Sequence, residues 1–188
     1  MIKYIFLFLF LPTLAFAETF GNLDTTTNYS YFTANKAAWG KFVLGEAGTV
    51  TKLTGYVRAT SGVYGKGLIY SHNAGTDQPG TLLGVTPATA PGTSVGWVDF
   101  TFDTPVALEA GTYWLGFTGS GSNFVYYEQS SISGARRWYD SDFQTYASPE
   151  TTLSGGSATA DKEVCIYATY TPSGGETPTA RRRIILIQ

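Results

Sequence analysis

Residues 96–117 read GWVDFTFDTPVALEAGTYWLGF, and their apolar side chains fall on alternate positions. Val98, Phe100 and Phe102 alternate with Asp99, Thr101 and Asp103. After an Ala110-Gly111 turn, Tyr113, Leu115 and Phe117 repeat the rhythm. A period of two marks a strand with one buried face, because successive side chains leave opposite sides of the pleat. Residues 50–59 do the same, with Leu53, Val57 and Ala59 on one face and Lys52, Thr54 and Arg58 on the other. Asn73-Ala74-Gly75 and Gln78-Pro79-Gly80 supply turns between the runs. No window carries the i, i+3, i+4, i+7 apolar spacing of an amphipathic helix.

Further strands are expected at residues 29–34, 39–45, 67–71, 81–85, 123–129, 135–140 and 163–171, with Val106 and Leu108 as a short apolar step. Many short strands separated by turn chemistry predict an all-β, antiparallel, two-sheet β-sandwich of jelly-roll type. Residues 72–80 read as a loop. Residues 141–161 are long, polar and weakly patterned, and read as a surface excursion with at most one short strand.

The N-terminus bounds the compartment. Lys3 precedes an apolar run over residues 4–14, followed by Ala15-Phe16-Ala17. This is the layout of a secretory signal peptide over residues 1–17, cleaved after Ala17. The run falls short of the ~20 residues a membrane span needs. An exported chain without a membrane span after cleavage is the expectation. Residues 18–172 form the β-sandwich domain, residues 173–180 (SGGETPTA) a flexible linker, and residues 181–188 a basic-apolar tail or an extra strand folded back on the domain. Cys165 is the one cysteine, so no internal disulfide forms, and its apolar neighbours predict a small buried side chain.

The formal net charge is −2, and Lys3 and Arg181 to Arg183 lie outside the sandwich domain, which is more acidic still. Such a surface excludes a nucleic-acid partner, which demands a basic face. Ser71, His72 and Asp77 do not make a triad, because neighbours on a strand diverge. Asp99 and Asp103 are separated by ~13 Å of strand rise, too far for paired carboxylate catalysis. Gly65-Lys66-Gly67 precedes no helix and is no phosphate loop. One His and one Cys cannot build a zinc site. No catalytic residues are therefore assigned and no cofactor is expected. Asp140-Ser141-Asp142 admits only a structural calcium, through Asp140 and Asp142.

Aromatics are plentiful, with 13 Tyr, 12 Phe and 4 Trp. Tyr126 and Tyr127 are adjacent, so one must leave the core. Trp138, Tyr139 and Tyr146 fall in or beside a polar stretch with Arg137, Asp140 and Asp142. Flat rings flanked by hydrogen-bonding side chains are the chemistry of sugar recognition. The competing expectation makes Trp138 a plug at one end of the sandwich. The tail offers another route to function. Ile184, Ile185, Leu186 and Ile187 are β-prone and could add as a strand to a neighbouring copy, which would make the chain a subunit of a surface or fibre assembly.

The segments WGKFVLGEAGTVTKLTGYV, GLIYSHNAGTDQPGTLLG, GWVDFTFDTPVALEAGTYWLGF and EVCIYATYTP resemble exported jelly-roll β-sandwich modules of bacterial, archaeal and phage-associated surface proteins. The resemblance implies an extracellular, non-enzymatic, lectin-like scaffold and supplies no catalytic residues. A secreted or cell-surface binding module for carbohydrate or another surface polymer is the leading expectation.

Overall fold

The computed structural model describes residues 16–33, 35–140, 146–153 and 155–174. Most of the expected leader, Asp142 and the whole tail with Ile184 to Ile187 lie outside these residues. Thirteen strands and no helix occur among the described residues. In chain order they are β1 (Glu18–Gly21), β2 (Tyr29–Phe32), β3 (Ala37–Leu44), β4 (Gly48–Ala59), β5 (Gly65–Asn73), β6 (Gln78–Val85) and β7 (Gly96–Leu108). The chain continues through β8 (Gly111–Gly119), β9 (Phe124–Ser130), β10 (Arg136–Asp140), β11 (Ser157–Ala160), β12 (Lys162–Val164) and β13 (Ile166–Pro172).

Eight of these strands, β2 to β9, pair as β2-β9-β4-β7 in one sheet and β3-β8-β5-β6 in the other, all antiparallel. This is the jelly roll expected from the sequence. The other five strands extend it. β13 lies on β4 and β1 on β13, β12 lies on β9, and β10 and β11 lie beyond β3.

The space between the sheets is filled by the alternating residues of each strand. Leu53, Val57 and Ala59 meet Phe100, Phe102, Leu115, Phe117 and Phe124 there, as their period of two requires. Val50 is also buried, although it lies three residues from Leu53 and strict alternation would turn it outward. A bulge resolves this. Val50 pairs with Val106 but Lys52 with Thr101, and the register break at Thr51 restores phase. Residues 106–108 are thus the continuation of β7, not a separate step. Gly55 is needed because the Phe117 ring occupies the place of a side chain at that position.

Two expectations change. His72 belongs to strand β5 rather than to a loop, and accepts a 3.2 Å hydrogen bond at Nδ1 from the Trp114 indole N–H. The polar stretch after β10 is no simple surface excursion. The six-stranded sheet buries apolar side chains on its outer face too, namely Trp39, Leu68, Tyr70, Trp114 and Trp138. Residues 146–153 pass over this face as a strap, with Leu153 packed on the cluster. The Tyr70 hydroxyl donates to the Glu150 carbonyl, Leu82 N–H to the Thr151 carbonyl at 2.8 Å, and Lys66 Nζ to the Tyr146 carbonyl at 3.0 Å. Trp114→Ala should empty the centre of this second core. Its unfolding free energy in urea is expected to fall by about 3–5 kcal/mol, and a change below about 1 kcal/mol would contradict the assignment.

Cys165 separates β12 from β13, where a single strand had been expected. Its N–H donates to the Tyr127 carbonyl at 2.9 Å and its carbonyl accepts from Tyr56 N–H at 3.0 Å. One residue therefore bridges β9 and β4 while the chain changes neighbours. Burial pushes the thiol up to about 12, with the carboxylates of Asp24, Glu163 and Glu128 adding to the effect. At neutral pH the group stays an uncharged thiol, which is a poor nucleophile. Iodoacetamide is expected to leave Cys165 unlabelled in native buffer and to label it in concentrated guanidinium, as read by intact mass.

Candidate functional site

Strand β10 carries the residues that the sequence grouped as a contact patch, and its alternation splits them. Arg137 and Tyr139 point between the sheets, toward β9. Trp138 and Asp140 point the other way, to the strap side. Trp138 is only 5% exposed, donates its indole N–H to the Gly155 carbonyl at 3.3 Å and meets Trp114 edge-on at 6.3 Å. It has no ring face free for a ligand, and the expectation that it stacks on a sugar is corrected: it is a core residue. Asp140 is buried as well. Tyr146 lies on the strap, with its N–H on Asn35 Oδ1 at 3.0 Å and its ring 4.7 Å from Lys66 Nζ. Asp142 is not among the described residues. Among those that are, no three His, Cys, Asp or Glu gather closely enough to hold a metal ion.

Arg137 and Tyr139 instead line an open cleft of about 310 Å³ with Tyr126 of β9 and Tyr29, Ser30 and Tyr31 of β2. Strand β2 is a short edge strand with β9 as its partner among the described residues. Its pattern Tyr29-Ser30-Tyr31-Phe32 sends Phe32 into the core, stacked on Tyr126 at 4.8 Å, and leaves Tyr29 and Tyr31 56% and 62% exposed. The cleft therefore has a wet aromatic rim.

Its wall is ionic. Glu128 is 2% exposed and sits where a lone carboxylate would be strongly disfavoured. Arg137 Nη1 donates to both of its oxygens, at 3.1 and 2.8 Å, and Lys162 Nζ to Oε1 at 2.7 Å. Ser30 Oγ donates to the same oxygen at 3.2 Å. The guanidinium also donates to the Tyr126 hydroxyl at 3.2 Å and to Thr159 Oγ1 at 3.1 Å. Two cations thus face one carboxylate. Burial pushes the Tyr126 hydroxyl up to about 12, so it stays neutral at ordinary pH. Lys36 Nζ and the Arg137 guanidinium each lie 5.9 Å from the centre of the Tyr139 ring.

Three further surface clefts, of about 410 to 450 Å³, lie among the described residues, and no Tyr or Trp lines any of them. His72 Nε2 lies 3.7 Å from Asp77 Oδ1. Ser71 Oγ accepts from Thr81 N–H, while Asp77 is held by Lys41 at 3.0 Å and Arg136 at 2.9 Å. Among the described residues no helix is long and apolar enough to cross a membrane.

Sequence reading missed Tyr29, Tyr31, Ser30 and the ionic role of Glu128. The signal for the first two was present. In a strand ending at Phe32, an inward Phe forces Tyr31 and Tyr29 onto the alternating positions of an otherwise polar stretch. The Glu128 network had no local signal, since its partners come from three other strands.

A scan against protein-family models finds no match, and no curated protein matches the sequence.

The network makes a stability prediction. Arg137→Met leaves a buried carboxylate with Lys162 as its only cation, and should lower the unfolding free energy by about 3–5 kcal/mol. The double variant with Glu128→Gln is expected to recover a large part of that loss in urea titrations. With Glu128→Gln measured alone, a double loss equal to the sum of the two single losses would mean that the pair is not coupled.

Proposed function

We propose that the chain is an exported, non-catalytic binding module for extracellular carbohydrate, and that the cleft between β2, β9 and β10 is its contact site. One observation carries the reading: a cleft lined by strand β2, whose Tyr29 and Tyr31 are exposed, and by the hydrogen-bonding groups of Arg137, Ser30 and Tyr126. Sugars present apolar C–H faces and polar hydroxyl edges, so a ring and a fixed set of donors and acceptors recognise both. The wall is held by Glu128, Thr159 and Lys162, which limits the entropy lost on binding. Mutually stabilised charges at this depth suit positioning of a ligand better than proton transfer, which calls for a titrating group aimed at substrate.

Export is supported by the basic and apolar N-terminal sequence with its Ala15-Phe16-Ala17 site. The first strand begins at Glu18, directly after the expected cleavage position, so cleavage there leaves β1 intact. The charge-poor, net acidic chain offers little for electrostatic capture of a polyanion.

A glycan array probed with the wild-type domain, Tyr29→Ala, Tyr31→Ala and Trp138→Phe tests the reading. Tyr29 and Tyr31 are exposed enough for their removal to spare the fold. Wild type and Trp138→Phe are expected to give the same hits, and each Tyr variant to weaken them about ten-fold. An array with no hit for folded wild type would refute carbohydrate binding. Hits unaffected by both Tyr variants would move the site elsewhere.

A further inference from the structure

The outer face of the larger sheet carries a second aromatic feature, continuous with the cleft. Tyr29 of β2 meets Tyr127 of β9 at 5.9 Å between ring centres. Tyr127 meets Tyr56 of β4 at 5.1 Å, Tyr56 meets Trp97 of β7 at 5.2 Å, and Trp97 meets Tyr167 of β13 at 5.3 Å. Five rings from five strands thus form one run of contacts on this face, a ladder which crosses from β2 through β9 and β4 to β7 and then turns back over β4 to Tyr167 of β13. Register explains it. Tyr29 pairs with Tyr127 and Tyr56 with Trp97, so the rings project from the same face. Tyr127 is buried beneath its neighbours, whereas Tyr56, Trp97 and Tyr167 are half-exposed and Tyr29 is open. Beside the rings, Lys52 Nζ and Thr54 Oγ1 both donate to Asp99, each at 2.6 Å. Arg58 shares the face.

We infer that this ladder is an extended subsite for a single polysaccharide chain that enters at the cleft and continues across the outer face of the sheet. The inference rests on the carbohydrate reading of the cleft and adds the class of ligand: a linear polymer held at several consecutive units, rather than a terminal sugar. Three features carry it. Tyr29 belongs to both the cleft lining and the ring run, so one ligand can pass from the cleft over the buried Tyr127 to Tyr56 and Trp97. The ring-to-ring steps of 5.1 to 5.9 Å are about the length of one pyranose unit in an extended chain. Successive ring planes turn by 50 to 62°, so the surface is stepped and suits one twisting chain, not the flat face of a crystalline polymer. The Asp99, Lys52 and Thr54 group supplies hydroxyl partners along the flank.

Calorimetry with linear hexasaccharides and the matching disaccharides of glucose, xylose, mannose and N-acetylglucosamine tests this. The best hexasaccharide is expected to bind at least about ten-fold more tightly than its disaccharide. Trp97→Ala should remove that advantage and leave disaccharide binding unchanged, while Tyr31→Ala weakens both. Tyr167→Ala repeats the test on a second rung in case Trp97→Ala unfolds. Equal affinity for both lengths, or a length advantage that survives both ladder variants, overturns the subsite and leaves the cleft reading standing. No binding of any sugar removes both. Adsorption to microcrystalline cellulose or chitin without binding to any soluble hexasaccharide overturns the single-chain assignment. Sedimentation equilibrium supplies the last arm: a dimer that Trp97→Ala dissociates would assign the face to a second copy of the chain instead.

Discussion

Strand β8 has no wet face, and much of the molecule follows from that. Tyr113, Leu115 and Phe117 fill the space between the sheets, while Trp114 projects outward against Trp138, near Leu68 and Tyr70. A sheet that is apolar on both sides must be covered on both sides. Without helices among the described residues, the outer cover is the strap at residues 146–153. A strap buries few apolar side chains of its own, so it is held mainly through its backbone carbonyls. Those of Tyr146, Glu150 and Thr151 accept from Lys66, Tyr70 and Leu82 in turn. The strap leaves from β10 and returns as β11, which pairs with β10. Covering the outer face thus places β10 at the margin of the sandwich, against the end of β9.

That placement produces the cleft. There β10 faces β9 across a gap that β2 also lines. A side chain there must be long enough to cross and polar enough to meet water. Arg137 does both. It also lets Glu128 remain buried and charged, because a guanidinium can bond to both carboxylate oxygens and still reach Tyr126 and Thr159. The network gains little stability over an apolar replacement of similar shape. Its effect is to hold donors and acceptors in fixed directions beside exposed rings, which is what recognition requires and what folding alone does not.

The sheets were legible because the sequence states their faces directly. Phe100 and Phe102 against Asp99 and Asp103 can be read only one way, and the structure places them so. The jelly-roll order follows from many short strands that must close without helices. Other parts were hidden for identifiable reasons. Burial on both faces of β8 leaves no alternation at Trp114, so the need for a second cover does not show locally. The strap lacks periodicity because its backbone does the work. β1 is four residues long and follows closely on the apolar run of residues 4–14, which dominates that stretch. At the site, β10 was recognised as a strand, but its residues were grouped by proximity in sequence; alternation alone separates Arg137 and Tyr139 from Trp138 and Asp140. Glu128 was visible as a residue but not as a centre, since Arg137, Lys162 and Ser30 converge on it from strands far apart in the chain.

The aromatic ladder depends on a topological detail of the larger sheet. β13 lies beside β4 from Gly48 to Gly55, and β9 takes over beside β4 from Val57 to Ala59. The exchange occurs at Cys165, whose backbone bonds to both strands. Had β13 continued straight, it would have separated β9 from β4 by a further strand spacing of about 4.8 Å. Tyr127 and Tyr56, now 5.1 Å apart, would then have lost contact, and the ladder would have broken between the cleft and Trp97. The crossing residue must be small, since the rings close over it, and apolar, since water is excluded there. Cysteine meets both conditions. The fully buried thiol and the half-exposed rings above it are therefore one construction, in which a change of strand partner beneath the surface sets the continuity of the surface itself.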